Sequence, residues 1–341
     1  MQDREKLFLK ENGLDVDGID REKLLAAFDE EMDAGLAGKP SSLMMIPSFI
    51  SIDRPVKTGT PVVVLDAGGT NLRAAVVTID DAGQAQIGSF SKGAMPGTQG
   101  EISAEAFFDA FADFLMPIIA ESESIGFCFS YPAEITPTCD ARLLHWSKQI
   151  EAPAVVGQMI GAGLLRHLAQ RGYERRVVIL NDTVATLLAG KSAGIAKPYS
   201  AYVGFILGTG TNTAYVERND RITKRTDLDP AGSMVINIES GNFGRVQQSA
   251  FDAAMDAQTI DRGHYVFEKM ISGAYLGWLG FTVLREAAQS GLFSATAVGE
   301  LERWETLSNK HLDDFCGGRP LADNPFLASA FSGADREAVR R

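Results

Sequence analysis

The apolar run Val177-Val178-Ile179-Leu180 has the character of a buried strand, and it stops at Asn181-Asp182-Thr183 before an apolar helical spacing resumes. Asn, Asp and Thr are all favoured helix N-caps, so capping accounts for the three residues. A carboxylate at the C-terminal end of a strand is also where α/β proteins place their chemistry, and Asp182 could take a proton from a substrate hydroxyl. The segment Asp66-Ala67-Gly68-Gly69-Thr70-Asn71-Leu72-Arg73 suits an anion. Gly68 and Gly69 let backbone N–H groups approach phosphate oxygens, Thr70 and Asn71 add neutral donors, Arg73 adds charge, and Asp66 could hold Mg2+ through water. Gly208-Thr209-Gly210-Thr211-Asn212 repeats the theme. Either turn alone could be only a tight hairpin that needs glycine for positive φ; two such turns, each followed by a short strand, favour paired phosphate clamps.

Other polar clusters interrupt apolar surroundings in the same way. Ser130-Tyr131-Pro132 ends the run at residues 125–129, Trp146-Ser147-Lys148 follows Leu143-Leu144, Asn237-Ile238-Glu239 lies on or beside a strand, and Glu268 sits in Phe267-Glu268-Lys269-Met270. Each could be a cap or a surface group. Together, hydroxyl, amide, carboxylate and ammonium groups at strand ends make a lining for a polyhydroxylated ligand.

The elements that must position these groups follow from hydrophobic period. Leu24, Leu25, Phe28, Met32 and Leu36 predict an amphipathic helix over 21–37. A connection over 40–61 leads to a strand at 62–65 and, after the glycines, to the β-branched run at 74–79, so the glycines turn a hairpin. A dinucleotide or P-loop glycine motif would open a helix there instead, so neither is supported. Phe107, Phe111, Phe114, Leu115 and Ile118 predict a helix over 103–120, followed by a strand at 125–129, a helix carrying Val155, Met159, Gly163 and His167, the strand at 177–180, and a helix from 183 to 190 or beyond. A second strand-rich block covers 201–207, 213–216 and 234–238, and the pattern from 267 onward is mostly helical. Strand, Gly/Thr turn, strand thus occurs twice, which suggests two related α/β lobes with a cleft between their turns.

The remaining chemistry is excluded by composition. With 32 Lys and Arg against 44 Asp and Glu, the net charge of −12 repels nucleic acid and anionic membranes, so anionic ligands need local donors. The charged N-terminus and the lack of any run of 18 apolar residues predict no secretory signal, no membrane span and a cytoplasmic protein. Cys128, Cys139 and Cys316 are too few and scattered for a disulfide framework or zinc site, and the four histidines lack metal or triad spacing.

These motifs, in this order, resemble the hexokinase family from about Leu24 to about Phe326. The resemblance is carried by Ser42-Leu43-Met44-Met45-Ile46-Pro47-Ser48-Phe49, the segment from Leu65 to Arg73, Asn181-Asp182-Thr183-Val184, Gly208-Thr209-Gly210-Thr211-Asn212 and Phe267-Glu268-Lys269-Met270-Ile271-Ser272-Gly273-Ala274-Tyr275-Leu276-Gly277. It implies an α/β, two-lobed actin-like (ribonuclease-H-like) fold with a central cleft. Residues 1–58 would be a helical segment packing on the large domain, 59–182 a small domain and 183–341 the large one. It implies transfer of the γ-phosphate of Mg·ATP to the 6-hydroxyl of a hexose, glucose by expectation, the first step of glycolysis. Asp182 would be the general base, with Lys148 and Arg73 assisting at the transferring group. Ser130, Ser147, Lys148, Asn181, Asn212, Glu239 and Glu268 would contact sugar. Asp66, Gly68, Gly69, Thr70, Asn71, Arg73, Gly208, Thr209 and Gly210 would hold phosphates, with Asp66 on Mg2+ through water.

The chain departs from the family pattern at Tyr265, where the family has Gln, at Ser240 for Trp, and more mildly at Ser147 for Thr and Tyr131 for Phe. The resemblance also implies that the C-terminal end of the fold, with a glycine-rich adenosine-binding segment and a final helix, is missing, and 335–341, which has no apolar capping pattern, reads as an interrupted helix. A non-catalytic sugar-binding protein is therefore the alternative to a kinase. A chaperone-type ATPase is disfavoured, because Ser147-Lys148, Asn181-Asp182 and Glu239 would have no sugar-independent reason to converge.

Overall fold

A computed structural model describes residues 2–53, 55–69, 71–146, 150–194 and 199–340. In chain order the elements are α1 (Gln2–Glu11), α2 (Arg21–Leu36), β1 (Ile46–Pro47), β2 (Val62–Gly68), β3 (Asn71–Ile79), β4 (Ala85–Ala94), α3 (Ala104–Leu115), β5 (Ser124–Phe129), β6 (Ala133–Ile135), β7 (Ala141–Leu143), α4 (Ile160–Gln170), β8 (Arg176–Leu180), α5 (Asp182–Ala193), β9 (Val203–Leu207), β10 (Thr211–Arg218) and β11 (Ser233–Asn237). Six helices follow: α6 (Ala250–Asp256), α7 (Val266–Ile271), α8 (Leu276–Gln289), α9 (Ala295–Leu301), α10 (Asn309–Cys316) and α11 (Gly333–Val339).

The first sheet has the order β4-β3-β2-β5-β8. β2 and β3 are the expected hairpin, antiparallel from Val62↔Val77 to Gly68↔Asn71, and β5 and β8 run parallel to β2. Parallel strands need crossovers, and α3 and α4 supply them. Phe107, Phe108 and Phe111 of α3 are buried with Phe127 against one face of the sheet. Gly163 allows α4 to approach α3, because a Cβ there would lie 2.3 Å from the Phe108 ring. The parallel register, Asp66↔Cys128 and Cys128↔Leu180, brings the ends of β2, β5 and β8 together, so Gly68, Ser130 and Asn181 share one edge.

The second sheet, β1-β11-β10-β9, repeats the hairpin as β9–β10, with Leu207↔Thr211 closing on the turn Gly208-Thr209-Gly210. α5 packs behind β9 and β10. Among the described residues β9 is an edge strand whose Val203, Phe205 and Leu207 side chains are exposed, Phe205 by 54%. The core of this half also takes Ala27 and Leu36 from α2, with Leu43 and Met45.

Local chemistry accounts for where the elements differ from the periodic reading. The helix expected from Val155 begins only at Ile160, because Gly157 takes φ +82 and breaks the spacing. β1 lies inside the 40–61 connection and contains Pro47, tolerated at a sheet edge. β4 has no apolar alternation, since nearly all its side chains face solvent. The C-terminal segment read as interrupted is α11, with a capping box from Ser332 and Asp335. Asp335 is 2% exposed and accepts from Ser294 N (2.7 Å), Ser294 Oγ (2.8 Å) and Ser332 N (2.8 Å), tying α11 to the start of α9. Asp335→Ala leaves these donors without a charged acceptor and is expected to cost about 1–3 kcal/mol, read as a lower denaturant midpoint with faster amide exchange in α9 and α11.

Candidate active site

Asn181 takes the capping role: its Oδ1 accepts from Thr183 N at 2.9 Å, and Asp182 is the first residue of α5. The Asp182 carboxylate accepts from Thr183 N at 2.8 Å through Oδ1. The alternatives left open by the sequence are thus divided between neighbours, and Asp182 is not needed as the cap.

Asn212, at the start of β10, joins this end of the first sheet to the second. Its Nδ2 lies 3.5 Å from Asn181 Oδ1, 2.8 Å from Asn237 Oδ1 and 3.3 Å from Glu239 Oε1, while its Oδ1 accepts from Thr213 N (2.7 Å) and Ser240 N (3.3 Å). Asn237 Nδ2 donates to Glu239 Oε1 at 2.7 Å. Glu239 holds φ +58, ψ +49, a left-handed backbone that costs a non-glycine residue on the order of 1 kcal/mol and persists where neighbours over-determine it. Burial pushes its carboxyl up, Asn237 opposes this, and the nearby Asp182 and Glu268 carboxylates push it further.

Glu268, in the first turn of α7, accepts from Thr211 N at 2.8 Å through Oε2. A Cβ on Gly210 would lie 2.5 Å from that oxygen, so only glycine lets the turn meet the carboxylate. The turn is braced again from beyond α7, where Gly273 N and Ala274 N donate to the Gly208 and Thr209 carbonyls at 2.7 and 3.1 Å. One helix thereby carries a site carboxylate and supports the second Gly/Thr turn.

At the first turn, Gly69 takes φ +60 and its carbonyl accepts from Tyr131 Oη at 2.5 Å, a contact that a phenylalanine could not make. Asp66 and Arg73 face each other across β2 and β3 and pair at 2.7 Å. Both are partly exposed, so the pair adds little stability and its members stay accessible. Ser130 sits beside Gly68 and Asp66. Cys128 is half-buried near both Asp66 and Asp182; desolvation and those two charges push its thiol up to about 12, which leaves it inert. Among the described residues no group of three or more His, Cys, Asp or Glu is placed to hold a metal directly. A lone Asp66 carboxylate suits Mg2+, which keeps most of its waters and needs only one or two protein carboxylates.

Of the expected residues, Asn181, Asp182, Asn212, Glu239 and Glu268 are brought together, Ser130 joins Asp66, Gly68, Gly69, Asn71 and Arg73 at the first turn, and Gly208, Thr209 and Gly210 form the second. Thr70, Ser147 and Lys148 lie outside the described residues. Asn237 belongs to the cluster; the sequence argument placed it among the polar groups at strand ends but gave it no contact of its own, and its signal was its place at the end of β11, two residues before Glu239. Tyr265 takes φ +54 before α7. Burial pushes its phenol up, and the Glu239 and Glu268 charges push it further. Ser240 fills the position of the family tryptophan with a buried hydroxyl 3.0 Å from Thr213 Oγ1.

Two hairpin turns and a carboxylate–amide cluster between two α/β sheets define a sugar-kinase type of architecture. Hexokinase family profiles match residues 10–192 and 202–322. The chain belongs to the hexokinase family. It is 35% identical over 320 residues to Hexokinase-2 of Solanum tuberosum, covering 87% of this chain and 64% of that protein. It is 34% identical over 297 residues to Hexokinase-1 of Spinacia oleracea, covering 81% and 58%. The chain thus spans about three-fifths of the length of these relatives. In structure it is similar to the hexokinase of Schistosoma mansoni complexed with glucose, at a TM-score of 0.74, 25% identity and 99% and 81% coverage of the two chains. No helix among the described residues is long and apolar enough to cross a membrane.

Proposed function

We propose that the protein transfers the γ-phosphoryl group of Mg·ATP to the 6-hydroxyl of a hexose, with glucose the first candidate. The observation that carries this reading is the hydrogen-bonded cluster of Asn181, Asn212, Asn237 and Glu239, with Asp182 and Glu268 beside it and a Gly/Thr turn at either side. Carboxylates and amides alternate there as acceptors and donors, which is what a ring of hydroxyls requires. Glu239, Glu268, Asn181, Asn212 and Ser130, with Ser147 and Lys148, would hold the sugar so that its 6-hydroxyl meets Asp182. Asp182 takes the hydroxyl proton as the oxygen bonds to the γ-phosphorus, and the bond to the β-bridging oxygen breaks with release of ADP. Arg73, Asn71, Thr70 and the backbone donors at Gly68, Gly69, Gly208, Thr209 and Gly210 would bind phosphate oxygens. Mg2+, when bound near Asp66, supplies neutralisation of the charge on the transferring phosphates. Residues 59–182 and 183–341 would close as two lobes, with 1–58 packed on the second, and exclude water as a competing acceptor.

The Asp66–Arg73 pair favours a second reading, a hexose-binding protein without turnover, because both charges of the first turn satisfy each other. A coupled ADP-release assay over a hexose panel, run beside calorimetric hexose binding, separates the two. Turnover with glucose and release of glucose 6-phosphate supports the kinase, binding without turnover supports the second reading, and neither binding nor turnover sinks both.

A further inference from the structure

We propose that Asn237 is a positioning residue of the sugar site, the last donor in a one-way hydrogen-bond chain that holds Glu239 in the orientation and ionised form able to receive sugar hydroxyls. This rests on the reading of Glu239 as a sugar ligand and adds what keeps it fit for that role.

The direction of the chain is set by the backbone. Thr213 N and Ser240 N can only donate, and both point at one oxygen of the Asn212 amide, so Asn212 Oδ1 faces them and Nδ2 faces away. That Nδ2 meets Asn237 at 2.8 Å, which makes the meeting atom of Asn237 its oxygen and turns Asn237 Nδ2 onto Glu239 Oε1 at 2.7 Å. Each amide is thereby polarised by the one before it, and the donor presented to Glu239 is stronger than an isolated amide. Asn237 is 5% exposed and fixed in β11 between β1 and β10, so it has little freedom to turn away.

Glu239 needs such a donor because its charged neighbours oppose it. Asp182 from α5 and Glu268 from α7 are both carboxylates, and the Tyr265 phenol ahead of α7 is neutral at ordinary pH. Among the described residues no ammonium or guanidinium is paired with Glu239; its hydrogen-bond donors are Asn237 at 2.7 Å and, more distantly, Asn212 at 3.3 Å. A protonated Glu239 loses acceptor capacity toward hydroxyls, and a carboxylate free to rotate pays an ordering cost when the sugar binds.

The test is glucose affinity by calorimetry from pH 5 to 8.5 for the wild-type chain, Asn237→Asp, Glu239→Gln and the double variant. Asn237→Asp keeps the shape, removes the amide donor and adds a second carboxylate beside Glu239, so the donor's own share is read from Asn237→Ser, which withdraws the donor without adding charge. Glucose should bind on the order of 10- to 100-fold more weakly at pH 7, and the pH at which affinity is lost on acidification should move upward. In the double variant the polarity of the bond is reversed, with the Gln amide at 239 donating to the Asp at 237. Its loss should be well below the product of the two single losses, and binding should be flat across this range. A purely structural residue would give multiplying losses and an unmoved pH profile, and either result overturns the proposal. Should Asn237→Asp fail to fold, Asn237→Ser, which shortens the donor out of reach, carries the same pH readout. Glu239→Gln with wild-type affinity sinks the sugar-site reading itself. A weakened Glu239→Gln beside an unaffected Asn237→Asp sinks only the role of Asn237.

Discussion

Asp182→Asn is expected to lower phosphoryl transfer by about 10²- to 10⁴-fold while changing hexose affinity by less than about tenfold. The separation is possible because of how the two roles divide at the start of α5. Asn181 Oδ1 caps the helix, and the amide oxygen of an Asn at 182 can still accept from Thr183 N, so the helix start survives the change. What the variant loses is a group able to take a proton at the cleft. A rate loss from misfolding would appear in thermal melting and in calorimetric binding, and the expectation is that neither moves far. Steady-state ADP release and glucose titration of the same preparation check it; an Asp182→Asn protein that turns over at the wild-type rate removes Asp182 from the mechanism.

Lys269→Met should be the most destabilising single change, by about 3–5 kcal/mol. Lys269 follows Glu268 directly, its side chain is 1% exposed, and its ammonium pairs with Asp256 Oδ1 at 2.7 Å and Asp261 Oδ1 at 2.9 Å, with Thr259 Oγ1 and the Asp261 carbonyl completing its shell. Met fills the volume but leaves two carboxylates facing each other without their cation. Adding Asp256→Asn and Asp261→Asn to Lys269→Met should recover most of the loss, because the penalty lies in the orphaned charges rather than in the absence of a pair. The pH dependence follows from the directions of the shifts. Burial pushes the Asp256 and Asp261 carboxyls up, but Lys269, helped by the Gly263 N–H at Asp256 and the Thr259 hydroxyl at Asp261, outweighs it and holds both below their ordinary values. Their contribution is present above the ordinary carboxylate range and is lost as pH falls through the depressed folded values. Burial lowers Lys269, but the two aspartates raise it overall, so its contribution is lost only as pH rises past the ordinary lysine range. Urea unfolding of wild type should weaken at acid pH more steeply than that of the triple variant; parallel curves would remove the triad from the acid transition.

The two changes also mark the limits of reading a chain by pattern. Asp182 stood out because a charge followed a run of apolar residues. Lys269 sits in a helical stretch where a lysine ordinarily faces solvent, and only the loop folding back from Asp256 to Asp261 makes it a buried cation.

The hairpins around Gly68-Gly69 and Gly208–Gly210, the helix–strand alternation and the turn chemistry were legible because each is decided within a few residues, by glycine φ freedom, β-branching and apolar period. β4 and β1 were not, since an edge strand exposed on both faces and a two-residue strand at a proline carry no period. Neither was the cap of α11, whose Asp335 also serves α9, nor the left-handed backbone of Glu239 and Tyr265. By itself the sequence determined which residues could do chemistry and that they fall at strand ends. Tertiary structure decided that Asn181 caps while Asp182 need not, that Asn237 lies against Glu239, and that Asp66 faces Arg73, because hydrogen-bond direction and burial depend on which strands become neighbours.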